Sequence, residues 1–219
     1  MFVLAQQEVT NATAAYVPVA IGFFGLATGY FIWGGQALFN FPKSTPDVNR
    51  TMGLWGFWMP GFMQFLTGVF LFVGLAWLGS FNTPALYMTA LAFTAFGVHW
   101  FSLGLTRAFG GDPRLNGFMS VGFIVLSALG IFVFFTVSDW PVGLLFIGLL
   151  LVYLSDFFVS LFPPAPAREV RGVPVGQAAR TVGLSERVLG LFRLATGVWL
   201  MYLTWAATVN LALGYRWPL

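Results

Sequence analysis

The sequence predicts an all-α membrane protein, a single bundle of six transmembrane helices. Three observations predict it. Only 8% of the 219 residues are charged while 58% are hydrophobic, whereas a soluble domain carries about 25% charged residues and covers its surface with them. The apolar residues fall in long, nearly continuous runs, not in the short alternating segments of a transmembrane barrel. Basic residues gather between alternate runs, as in polytopic membrane proteins. In lipid each backbone amide has to find its partner inside its own span, which favours helices.

A span needs about 20 apolar residues. The first run, residues 17–39, stops at Phe41-Pro42-Lys43-Ser44-Thr45-Pro46, a polar stretch punctuated by prolines. The second, residues 53–78, precedes Asn82-Thr83-Pro84. The third, 85–105, gives way to Gly110-Gly111-Asp112-Pro113-Arg114, and the fourth, 117–137, to Ser138-Asp139-Trp140-Pro141. The fifth, 142–162, leads into the longest connection, residues 163–187. That stretch opens with Pro163-Pro164-Ala165-Pro166 and carries four of the ten basic residues. It reads as a cytoplasmic loop of the one domain, with limited structure of its own. The sixth span is 188–213. The first sixteen residues lack a basic n-region and do not read as a secretory signal. Asn11-Ala12-Thr13 matches a glycosylation acceptor, a three-residue pattern that chance often supplies.

Orientation follows from charge. Lys43, Arg50, Arg107, Arg114, Arg168, Arg171, Arg180 and Arg187 follow spans one, three and five, against Arg216 alone on the other side. Basic loops stay in the cytoplasm, so both termini are expected outside it.

Three ionisable side chains fall inside spans: His99, Asp156 and Arg193. Charge in lipid is costly, so each is a gating or polar candidate. Each also has a plainer reading. Arg193, a turn into the sixth span, is expected to snorkel to the basic face. Asp156 can pair with it, since the fifth and sixth spans are antiparallel neighbours. His99 can bond one helix to another, or it can face a pore and sense pH. The other polar residues are neutral, Thr28, Gln64, Thr67 and Thr94 among them. This set is poor for a proton pump, which needs a carboxylate or His relay, and for a channel with charged rings. There is no Cys and one His, so neither a metal site nor a cofactor is expected. No nucleophile–base pair or phosphate loop marks an enzyme, and the net charge of +3 reads as topology, not nucleic-acid binding. What remains fits a small neutral solute in a narrow path. Phe96 and Trp100 lie four apart on one helical face, as do Phe146, Leu149 and Tyr153 by similar spacing. Such faces either pack the bundle or line a pore.

Lys43-Ser44, Val48, Asn49 and Gly53 resemble the first cytoplasmic loop of the AmiS/UreI amide/urea channel family. Phe96-Gly97, Trp100, Gly104, Gly110, Asp112 and Gly117 are similar to its third span, following loop and fourth span, and Asp139-Trp140 to the start of its fifth. The comparison covers about residues 20–160. It implies six spans with both ends outside, a homo-hexamer, and a narrow hydrophobic pore in each protomer. By position that pore is lined by Leu26, Phe96, Trp100, Phe146, Leu149 and Tyr153. The sequence departs from the family in having fewer Trp in the fifth span and no Glu in the sixth, near Thr196. A second six-helix family, the acetate/succinate transporters, is similar at Ile21-Gly22-Phe23-Phe24-Gly25-Leu26, at Gln64 and Gly68, and at Phe93-Thr94-Ala95-Phe96-Gly97. It implies cytoplasmic termini, against the charge count. The expectation is therefore a bacterial inner-membrane channel or facilitator for urea or short-chain amides. A small-monocarboxylate transporter and a non-transporting subunit of a larger membrane complex stand as alternatives.

Overall fold

The computed structural model describes residues 16–81, 83–162 and 182–218. Asn11-Ala12-Thr13, Asn82, the proline-rich run after residue 162 and Arg168, Arg171 and Arg180 lie outside the described residues. Among those described, every regular element is a helix. The order is α1 (Tyr16–Phe39), α2 (Pro46–Trp77), α3 (Ala85–Phe109), α4 (Arg114–Thr136), α5 (Trp140–Leu161) and α6 (Leu184–Leu213). Five of them, α2 to α6, are long and apolar enough to cross a bilayer. The 24-residue α1 packs along α6.

Helices α2 and α6 begin earliest relative to their expected spans, and capping explains both. At α2 the Thr45 hydroxyl accepts the Val48 N–H at 3.2 Å, and Pro46 occupies a position that has no N–H to satisfy. Asp47 then sits at the positive end of the helix. Arg50 is therefore helical. At α6 the Gly183 N–H donates to Glu186 Oε2 at 2.9 Å, so the last residues of the expected 163–187 loop, Arg187 included, belong to the helix. Arg107 and Arg114 likewise lie on helix ends.

Successive helices alternate in direction. Contacts of Gln36 and Asn49 with Arg107, and of Asn116 with Ser160, gather the end of α1, the start of α2, the end of α3, the start of α4 and the end of α5. The start of α6 joins them, because Gly34 lies against Gly190 and Arg193. This is the basic end of the bundle. The 78–84 and 138–141 connections form the opposite end.

Helix α2 is not a regular α-helix. Pro60 has no N–H and its ring would collide with the preceding turn. The chain meets this by widening to a π turn over Phe57–Phe62, with Pro60 buried, and it widens again at Val73–Trp77. Each widened turn re-aims the residues that follow.

Close backbone approach holds α2 to α3. A Cβ on Gly104 would stand 2.6 Å from Gly53 O and 2.8 Å from Phe57 N. Nothing there is a side chain that could swing aside. Gly104→Leu is expected to force the helices apart and lower stability by about 3 kcal/mol or more. Gly122, on the open face of α4, has nothing within 4 Å of the equivalent position. Gly122→Ala is expected to add roughly 0.5–1 kcal/mol through helix propensity alone. Thermal unfolding of the two variants in mild detergent checks the contrast. Equal midpoints would remove the α2–α3 crossing as a constraint.

Candidate functional site: two cavities and an aromatic layer

Two cavities enter the bundle, one from each end. The apolar cavity, about 650 Å³, opens at the end carrying the 78–84 and 138–141 connections. Val19, Phe23, Leu26, Phe93, Phe96, Phe146 and Leu149 line it, with Gln64, Ser80, Thr83, Thr89 and Asp139 as polar members. Asp139 caps α5 by accepting the Val142 N–H at 3.2 Å. Burial pushes the Asp139 carboxyl above its ordinary range, and that N–H partly offsets the rise. The charged cavity, about 760 Å³, opens at the basic end. Trp33, Gln36, Asn49, His99, Arg107, Asn116, Asp156 and Arg193 are among its walls. Asp112, also there, is held down to about 2 by its exposed pair with Arg114.

The two cavities share no lining residue. Phe96 belongs to one and His99 to the other, about one turn apart on α3. Between them lies a stack of buried rings. Phe96 packs on Phe123 at 5.2 Å and on Tyr153 at 5.6 Å, Phe123 on Tyr153 at 4.9 Å, and His99 on Phe123 at 4.3 Å. Each such pair adds about 0.5–1.5 kcal/mol beyond the area it buries. The rings come from α3, α4 and α5, so the layer also ties three helices together.

A polar chain runs from this layer into the charged cavity. Asn116 Nδ2 donates to Asp156 Oδ2 at 2.7 Å, which turns Asn116 Oδ1 toward His99. His99 Nε2 stands 2.7 Å from that oxygen, and Nδ1 stands 3.1 Å from Tyr153 Oη. The neutral Nε2–H tautomer suits both partners: it donates to Asn116 and accepts from the Tyr153 hydroxyl. Asp156 Oδ1 accepts from Arg193 Nη2 at 3.2 Å, with both side chains almost fully buried. Two guanidinium groups approach the Trp33 ring, Arg107 at 4.7 Å and Arg193 at 5.7 Å from its centroid. Its indole N–H donates to Met52 O at 3.2 Å, fixing the ring. Arg107 donates to Gln36 Oε1 and, at 3.2 Å, to Asn49 Oδ1. It has no carboxylate partner among the described residues.

The structure distributes the sequence candidates unevenly. Leu26, Phe96, Phe146 and Leu149 line the apolar cavity. Tyr153 stands in the aromatic layer. Trp100 lines neither cavity: it is buried against Trp33, 5.0 Å away, and Tyr30. His99, Asp156 and Arg193 belong to one chain of contacts. Arg193 is buried and pairs with Asp156 on the wall of the cavity at the basic end. Asn116, which joins His99 to Asp156, had been placed just before the fourth span. Helix α4 begins two residues earlier, at Arg114, and so brings Asn116 into its first turn, opposite Ser160. Trp33, Gln36 and Arg107 carried no sequence signal beyond residue type.

No protein-family model, no characterised protein and no solved structure matches this chain. Among the described residues no group of His and acidic side chains could hold a metal ion.

Proposed function

We propose that this chain is a membrane channel or facilitator for small neutral solutes such as urea or short-chain amides. In this reading α1 is the sixth span, the basic end faces the cytoplasm of a bacterial cell, and the protomers form a hexameric ring with one path each. The observation that carries it is the pair of cavities entering from opposite ends and meeting at a thin aromatic layer. A path needs access from both sides and a constriction that sorts by diameter and a few hydrogen bonds. The scarcity of charge supports a neutral solute: the apolar cavity has one ionisable residue, Asp139, at its mouth. The resemblance to the amide/urea channels points the same way. Small monocarboxylates are a second reading, favoured by Arg107, a cation on the wall of the charged cavity without a carboxylate partner among the described residues.

Osmotic swelling of proteoliposomes in urea, acetamide and acetate is expected to show faster urea and acetamide flux than in protein-free vesicles. Acetate alone entering would transfer the proposal to the second reading, and exclusion of all three would end both. Tags at the two termini are expected to be reached from outside the intact cell. Labelling only after lysis would reverse the orientation.

A further inference from the structure

Gln64 is fully buried on α2, and neither Oε1 nor Nε2 has a hydrogen-bond partner among the described residues. It is also part of the wall of the apolar cavity, with Leu26, Phe93 and Phe96. A buried amide left unpaired is costly, and an apolar side chain of the same size would relieve that cost. The widened turn at Pro60, four residues earlier, lies where it can set the direction of this side chain. Thr89, another polar residue of the cavity, already spends its hydroxyl proton on Ala85 O. An amide offers one donor and one acceptor side by side. Its complement is a planar group with an acceptor and a donor in the same arrangement.

We propose that Gln64 is the solute-reading residue of the apolar cavity, pairing its amide with the amide group of urea or a primary amide through two parallel hydrogen bonds. The proposal rests on the transport reading above and names the side chain that gives it selectivity. The bond is available only to a solute that carries an N–H donor next to its carbonyl. Replacement of both N–H groups by N-methyl groups removes half of the match.

The test compares the full-length wild type with Gln64→Met, which keeps length and flexibility but removes the amide. Acetamide and N,N-dimethylacetamide flux are measured in proteoliposomes. The size difference between the two solutes is the same for both proteins, so the change in their flux ratio isolates the N–H groups. The wild-type preference for acetamide is expected to fall roughly tenfold in Gln64→Met. The thermal midpoint in detergent is expected to hold or rise, because an unpaired amide has been removed. Acetamide is expected to raise the midpoint of the wild type and not of the variant. An unchanged flux ratio, or a variant whose midpoint falls, overturns the proposal. If neither solute moves but acetamide still protects the wild type alone, the transport reading fails and the site stands. No flux and no protection overturn both.

Discussion

Asp156→Leu is expected to cost about 3–5 kcal/mol of stability, because it strands a buried guanidinium. Arg193 is 8% exposed and its Nε already has no partner. A guanidinium keeps its charge, so removal of the carboxylate leaves a buried cation without its counter-ion. The loss spreads further along the polar chain. Asn116 Nδ2 keeps only the longer contact with Ser160 Oγ, at 3.3 Å, so the Asn116 oxygen that faces His99 Nε2 is held less firmly. The double variant Asp156→Leu/Arg193→Leu is expected to recover most of the loss, since an apolar pair of similar volume carries no desolvation cost. Unfolding in mild detergent, read as a double-mutant cycle, measures the coupling directly. A single variant within about 1 kcal/mol of wild type would mean that the pair is not what anchors α5 to α6.

The helices were legible because long apolar runs leave little choice of local structure. A run of apolar residues long enough to cross is visible without any knowledge of packing, and all six observed helices contain their expected runs to within a residue at the ends. What the runs hide is local chemistry at helix ends. Thr45, Pro46 and Asp47 start α2 well before its apolar part, and that shift moves Arg50 from loop to helix. Asn116 was lost for the same reason: hydropathy begins the span at Gly117, while the helix begins at Arg114. Trp100 shows the limit of periodicity. Residues four apart on a helix are about 40° apart around it. With side chains this large, that angle sends Phe96 into the aromatic layer and Trp100 toward Trp33. Gln64 was illegible for a different reason. It follows a π turn, so the spacing of 3.6 does not predict which way it points. Its lack of a partner is a property of the assembled interior and has no sequence signature at all.

Phe96→Ala is expected to join the two cavities. Phe96 is 2% exposed, lines the apolar cavity and stacks on both Phe123 and Tyr153, so its ring is the part of the layer nearest the apolar side. Truncation should cost about 3–5 kcal/mol in stability. It should also let solutes too broad for the wild type through, with glycerol swelling of proteoliposomes as the readout. Trp100→Ala is the matched control. Trp100 is as deeply buried and as large a loss, but it lies behind the layer against Tyr30 and Trp33 and lines neither cavity. It is expected to lower stability comparably and leave glycerol excluded. The comparison separates a loosened bundle from an opened path, because loosening predicts leakage in both variants. Leakage in Trp100→Ala alone would move the path to the Trp33 side of α3. Exclusion of glycerol in Phe96→Ala, with the protein still folded, would mean that the aromatic layer is not the constriction.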